Sequence, residues 1–344
     1  MVSSTKEDGD HVLKIFPGSY AGAGYLISNL NTTGAVTEYG RYLDLDQAIA
    51  RTVWTQGGVV YQRYVVSHPL VKFNLRLYPR TLFCSHPTYT CTQHIMSTTS
   101  STALPSVSYA YSSALEDGLP TPNVTCLGPG TLQVRGLVGS ASMVYEFLME
   151  ATAPDGTVKC IQFPVPPGSP PNATIEVTSA KEAWLSWVGG TNFDQDAGNE
   201  ASSYTFQGTD PHETLLSFLN APSLSFASFV DILAGHVKDY QGIIAKFALD
   251  LGQKVQLDTS TDELMKRYQI DATGNLVGNV YIEWLLLFNF GRYLLASSLR
   301  GGLPANLQGK WANGLGNAWS AGMSCGRPPN HERLTNVSFI IMVP

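Results

Sequence analysis

The chain reads as an α+β protein of more than one domain: an antiparallel β-sandwich, a helical linker, and the start of a helical domain. Three observations predict this order. Short alternating or β-branched runs, separated by Gly, Pro, Asn and Asp clusters, dominate residues 16–208. After residue 208 the apolar pattern changes to a helical period. The last helical run, Val280–Ser298, is strongly apolar and is terminated by Gly301–Gly302. A chain of 344 residues has room for two domains. The division expected is a sandwich over 1–208, a linker over 209–273, the beginning of a helical domain over 274–321, and a tail of different character over 322–344.

Strands are predicted at Ala23–Ser28, Thr52–Tyr61, Leu132–Val138, Met143–Ala151, Val158–Val165, Ala173–Val177 and Ala183–Val188. Within 43–68, Gly57–Gly58 reads as a turn between two strands. The Pro-rich stretch FPVPPGSPPNAT (163–174) cannot continue a central strand and reads as a loop. SHP occurs at Ser67–Pro69 and again at Ser85–Pro87, and residues 62–78 between strand-like runs read as an insertion. Asp210-Pro211-His212-Glu213 supplies an N-cap, a first-turn Pro and an acidic N3 residue before LLSFL. A second helix starts at Ser225, with Phe226, Phe229, Val230, Leu233, Val237 and Tyr240 on its apolar face. KFALDLG (246–252) reads as a short strand closing on Gly, and Ser260 with Glu263 caps a helix over DELMKRYQ.

Composition narrows the function classes. Only 14% of residues are charged, and the net charge of −6 argues against a polyanion-binding surface, so no nucleic-acid partner is expected. No apolar run reaches membrane-spanning length; Trp284–Phe290 is short and broken by Asn289. The N-terminus lacks the apolar core of a signal peptide. Four N-x-S/T sequons occur, at Asn31, Asn123, Asn172 and Asn336, and the first three are taken as glycosylation candidates. Cys84, Cys91, Cys126 and Cys160 form an even set consistent with two disulfides, whose pairing the spacing leaves open. These features together suggest an extracellular protein.

The sequence names no catalytic group outright. GxSxG, HExxH, P-loop and dinucleotide motifs are missing, and no Cys/His cluster has zinc spacing. Asp194-x-Asp196-x-Gly198 is oxygen-rich but lacks the final Glu of a calcium loop, which favours an Asx turn. Neither a metal nor a cofactor is expected. His236 and Asp239 share a helical face and suggest a structural contact beside Tyr240. The best candidate binding surface is GGLPANLQGKWANGLGNAWSA (301–321), where Asn306, Gln308, Trp311, Asn313, Asn317 and Trp319 combine amides with aromatic faces. Sugars are held by such a mixture, stacking on rings and hydrogen-bonding to amides. The alternative is that these amides satisfy loop backbone and the tryptophans pack a domain seam.

At this loop a resemblance appears. EWLLLFNFGRYLLASSLRGGLPANLQGKW, with Phe288, Gly291-Arg292-Tyr293-Leu294-Leu295, Ser297-Ser298 and Leu303–Gly309 followed by Trp311, resembles the start of the catalytic domain of glycoside hydrolase family 95, the inverting α-L-fucosidases. GSYAGAGYLISN (18–29), YGRYLDLDQAIARTVWTQGG (39–58) and HVKDYQ (236–241) are similar to the family's upstream regions. The resemblance implies a β-sandwich, a helical linker and an (α/α)6 barrel, a secreted location, no cofactor, and a fucosylated oligosaccharide as substrate. Some members prefer other sugars, such as α-galactosides. Inversion needs a general acid on the leaving oxygen and a base that activates water. The family's acid is a Glu, and paired Asn with an Asp hold the water. All are expected beyond Ala321, so no catalytic residue is assigned, and Asn306, Gln308, Trp311 and Asn313 stand as candidate pocket-lining residues. Against the family pattern the chain reads as shortened at both ends. The opening segment with its secretion signal is missing, residues 62–78 are extra, and GMSCGRPPNHERLTNVSFIIMVP (322–344) reads as translation out of frame or through an intron. A competing expectation is therefore a non-catalytic fragment, or a β-domain that only contacts carbohydrate.

Overall fold

Two packed sheets and a layer of helices organise this protein. The computed structural model describes residues 2–3, 14–15, 24–56, 59–62, 78–96, 103–113, 120–138, 143–220, 226–250, 252, 259–266, 269–270, 272–274, 276–277, 283–298 and 300. In chain order the strands are β1 (Val2–Ser3), β2 (Lys14–Ile15), β3 (Tyr25–Leu30), β4 (Val36–Asp44), β5 (Ile49–Gln56), β6 (Val59–Gln62), β7 (Tyr78–Ser85), β8 (Thr90–Met96), β9 (Val107–Ser112), β10 (Asn123–Cys126), β11 (Thr131–Val138), β12 (Met143–Thr152), β13 (Thr157–Gln162), β14 (Ala173–Thr178), β15 (Glu182–Thr191), β16 (Gln269–Ile270) and β17 (Leu276–Val277). The helices are α1 (His212–Asn220), α2 (Phe226–Ile244), α3 (Thr261–Lys266), a π-wound segment Glu283–Phe290, and α4 (Gly291–Ser298).

The larger sheet has the order β10-β11-β12-β15-β8-β7-β6-β5-β4, and a four-stranded sheet of order β13-β14-β9-β3 packs against it. Between them lies the main core, built from Val107, Tyr109, Leu132, Phe147, Ile175 and Leu185 among others. In the smaller sheet β14 alternates cleanly: Ala173, Ile175 and Val177 are buried, while Thr174, Glu176 and Thr178 are only partly so. That is the pattern of a sheet covered on one face.

The central strands of the large sheet behave differently. In β12 and β15 most residues are buried, including unbroken runs of five and six. Tyr145, Phe147, Met149 and Ala151 point into the sandwich, whereas Leu148 and Val188 meet Leu215 and Leu219 of α1. Ile49 and Trp184 meet Phe229, Ile232 and Leu233 of α2. The helices thus form a third layer, and strands buried on both faces lose the alternation that marks a half-exposed strand.

Each strand predicted before residue 208 overlaps an observed one, but β4, β7, β8, β9 and β10 were not anticipated. β8 shows why. Its sequence TCTQHIM carries four polar residues that are nonetheless buried, because both faces are covered. In α1, the Asp210 carboxylate accepts from the His212 N–H at 3.0 Å, and the Pro211 carbonyl accepts from Leu215 at 2.9 Å. This matches the expected cap. In α2, Phe229, Leu233 and Tyr240 are buried as the helical template predicts, but Val230 is exposed and Ile232 and His236 take its place.

Two expectations are corrected. KFALDLG is not a strand among the described residues: 247–250 are irregular, with Phe247 and Leu249 exposed. Asp250 instead accepts from Gly252 N–H at 2.8 Å, and Gly252 turns the chain at φ +75°. The helix expected over Val280–Ser298 is described from Glu283, and its first half is π-wound. Ser225, the turn at Gly57–Gly58, residues 63–77 and residues 301–344 lie outside the described residues.

Candidate functional site

The stretches that carry the family resemblance are far apart in sequence, yet three of them meet at α2. The first is the β4–β5 turn within YGRYLDLDQ. Asp44 Oδ1 accepts from the Asp46 and Gln47 N–H groups at 3.0 and 3.1 Å, and Ala48 takes a left-handed conformation at φ 55°. A non-glycine residue there costs free energy, so the turn needs outside support. Helix α2 supplies it: His236 Nε2 donates to the Gln47 carbonyl at 3.0 Å, and the Tyr240 hydroxyl donates to the Leu45 carbonyl at 2.9 Å. Burial lowers the His236 pKa, which suits a neutral ring donating to a carbonyl. Burial likewise pushes the Tyr240 hydroxyl up to about 12.

The third stretch is GRYLL on α4. Arg292 donates to the carbonyls of Ile244 and Phe247, the latter at 3.0 Å, at the C-terminal end of α2. Its guanidinium also lies 5.3 Å from the Phe247 ring centroid and 5.5 Å from that of Phe288. A cation here satisfies orphan carbonyls and faces the negative end of the helix dipole. Tyr293 packs edge-on to Tyr240 at 6.4 Å. Arg292 is therefore a structural cap.

Arg300, the last described residue, pairs with Asp239 of α2. His236 and Asp239, expected to share a helical face, each also make a longer-range contact. His236 reaches the Gln47 carbonyl of the β4–β5 turn and Asp239 pairs with Arg300. Arg300 is largely buried, and burial lowers its pKa. Its charge also helps, after burial, to hold His86 below the ordinary histidine value. This junction fixes the point from which the 301–321 segment departs. Asn306, Gln308, Trp311 and Asn313 themselves lie outside the described residues.

A second polar cluster joins α1 to the sheet. Glu146 on β12 is fully buried. It accepts from Arg135 Nη1, from Gln133 Nε2 at 3.0 Å, and from His212 Nδ1 at 2.6 Å. Arg135 also grips Asp210, which holds that carboxyl below its usual range, helped by the His212 N–H. The cluster opens to solvent between Gln133, Arg135, Asp210, His212 and Glu213. A carboxylate so fully engaged is a lock rather than a general acid. Sequence reading missed it, since nothing marks Glu146 among the acidic residues.

Elsewhere, Cys84 pairs with Cys91 across β7 and β8, and Cys126 pairs with Cys160, tying the large sheet to the small one. Asn31, Asn123 and Asn172 are all exposed. Asp194 Oδ1 accepts from Asp196 N–H at 2.8 Å, an Asx turn. Among the described residues no group of three or more His, Cys, Asp or Glu is placed to hold a metal, and no helix is long and apolar enough to cross a membrane.

The fold is a β-sandwich whose large sheet carries a layer of helices on its outer face, with a further helix docked on that layer. Residues 3–196, more than half of the chain, match the family model of the glycosyl hydrolase family 65 N-terminal domain. Residues 228–325 match the glycosyl hydrolase family 95 catalytic domain. The chain belongs to these glycosyl hydrolases, with an N-terminal domain of the family 65 type and an α-L-fucosidase-like family 95 segment after it. It is 29% identical over 309 residues to the probable alpha-fucosidase A of Aspergillus niger, which covers 88% of this chain and 34% of that protein. It is 28% identical over 309 residues to the probable alpha-fucosidase A of Aspergillus oryzae, covering 88% of this chain and 38% of that protein. Over 98 residues, 27% of this chain and 11% of the other, it is 38% identical to alpha-L-fucosidase 2 of Arabidopsis thaliana. The chain thus spans little more than a third of the length of the two fungal relatives.

Proposed function

We propose that this chain is part of an inverting glycoside hydrolase that removes terminal α-L-fucosyl residues from oligosaccharides. The observation that carries the reading is the match of residues 228–325 to the family 95 catalytic domain. The α2–α4 junction supports it, since the stretches that resemble the family are the ones that hold it together. Helix α4 is then the first helix of an (α/α)6 barrel. Leu287, Phe288, Phe290 and Leu295 are exposed there, and Leu287, Phe288, Gly291, Leu294 and Leu295 line an open apolar groove suited to a covering helix. The domain division follows: sandwich over 1–208, linker over 209–273, catalytic start over 274–321. Asn306, Gln308, Trp311 and Asn313 line the approach to the pocket, and the acid and base that inversion requires follow the 301–321 segment. The two disulfides and the exposed Asn31, Asn123 and Asn172 support a secreted glycoprotein.

A second reading is favoured by one observation, the match of residues 3–196 to an N-terminal rather than a catalytic domain model. In it, this polypeptide alone contacts carbohydrate without cleaving it. Hydrolysis of 4-nitrophenyl α-L-fucoside, with the product anomer followed by NMR, separates the two. Turnover that releases β-L-fucose first supports the hydrolase. Turnover with retention refutes inversion, and no turnover leaves the second reading. Faster cleavage of the matching α-galactoside would reassign the sugar.

A further inference from the structure

The turn between β7 and β8 has no part in the polar lock, and its construction is unusual. Cys84 and Cys91 face each other across the two strands and are disulfide-bonded, closing Ser85–Thr90 into a fixed loop. Tyr89 N–H donates to the His86 carbonyl at 3.2 Å, and Thr90 Oγ1 donates to the Thr88 carbonyl at 2.9 Å. Tyr89 sits at φ 53°, a conformation that a bulky residue seldom adopts. Tyr89 as a whole is 49% exposed, although burial is what large aromatic residues ordinarily gain from folding. One side of its ring is backed by Phe218 of α1 at 5.1 Å and an interplanar angle of 26°, and the His86 ring lies 5.5 Å away. Ser85 Oγ and Thr88 Oγ1 are buried in the same loop without a hydrogen-bond partner. Such orphan hydroxyls call for an explanation.

We propose that this disulfide-closed turn is a carbohydrate platform: the ring of exposed Tyr89, backed by Phe218, stacks on the C–H face of a pyranose unit in an oligosaccharide, while His86 hydrogen-bonds its hydroxyls. The proposal rests on the reading of this chain as part of a glycosidase, and it assigns the sugar units beyond the terminal one to the turn. Rigidity is what such a platform needs, because a loop ordered beforehand loses little entropy on binding. With His86 held below its ordinary value, the platform is uncharged near neutral pH and suits a neutral sugar.

The test is titration calorimetry of the full chain with cellohexaose, maltohexaose and 2′-fucosyllactose, alongside Tyr89→Ala, Tyr89→Phe and His86→Ala. At least one sugar should bind. Tyr89→Ala should weaken it by about tenfold, and Tyr89→Phe, which keeps the ring, by less than about threefold. Tyr89→Ala should leave Tm unchanged. If that variant fails to fold, His86→Ala decides, with a loss of about threefold expected. The proposal is overturned if none of the three sugars binds, or if Tyr89→Ala or His86→Ala binds as the parent does. A lowered Tm with unchanged binding would show that another part of the chain, or a second copy, covers the ring. Absent hydrolysis with Tyr89-dependent binding would sink the fucosidase reading alone. Hydrolysis without binding would sink the platform alone.

Discussion

His212 Nδ1 lies 2.6 Å from a Glu146 carboxylate oxygen that is wholly removed from solvent, and this contact spans 66 residues to fasten α1 to the large sheet. Glu146→Ala strips Arg135, Gln133 and His212 of their common acceptor at once. Breaking a buried pair in this way costs about 3 kcal/mol. Glu146→Gln, which keeps an acceptor oxygen, should cost less. Urea unfolding measures both, and a loss under about 1 kcal/mol for the alanine variant would deny Glu146 its role as a lock.

His94 is stacked 3.5 Å from Trp184 with the rings 7° from parallel, and Phe229 closes over them. Burial lowers its pKa to about 3, although the Glu182 carboxylate is 3.2 Å away to accept from the neutral ring. The folded value is depressed relative to about 6.5 in the unfolded chain. The stability this contributes is therefore fully present above about pH 6.5 and is lost as pH falls toward about 3, by at most about 1.4 kcal/mol per pH unit. His94→Phe should flatten the acid limb of a stability-versus-pH curve. An unchanged slope in that variant would place the acid sensitivity elsewhere.

Arg292→Ala removes both the hydrogen bonds to the last carbonyls of α2 and the contact with the Phe247 and Phe288 rings. A loss of about 2 kcal/mol is expected, and Arg292→Lys should recover only part of it, because a point charge cannot bridge two carbonyls and stack as well. Hydrogen exchange in the last turn of α2 reports on this directly. Equal protection in parent and alanine variant would mean that α2 ends as stably without its cap.

The two disulfides should contribute unequally. Cys126–Cys160 encloses a separation of 34 residues and Cys84–Cys91 one of 7. Loop-closure entropy gives about 4 kcal/mol for the first and about 2 kcal/mol for the second. Paired Cys→Ala variants compared by thermal unfolding should show that order. The reverse order would mean that the intersheet bond strains the native sandwich.

The sequence carried much of this fold in local signals. Alternation located strands in β11, β13 and β14, and the Asp210-Pro211 cap and helical periodicity located α1 and α2. The stretches GRYLL, HVKDYQ and LDLDQ carried the family likeness, and Arg292 in the first of them caps a helix. The signal failed where both faces of a strand are covered. Thr92, Gln93 and His94 of β8 are polar and buried, so no period survives to be read.

By itself, then, the sequence determined the order of sheet and helix, the caps, the turn residues and the kinship with sugar hydrolases, because each is written within a short span of neighbouring residues. Only the tertiary structure decided which cysteines pair, that Glu146 is a buried lock, that Tyr89 is held outward, and that Gln47 meets His236 across 189 residues. Contacts of such separation come from packing sheets against helices to remove apolar area from water, and no local pattern specifies which polar group that packing leaves opposite which.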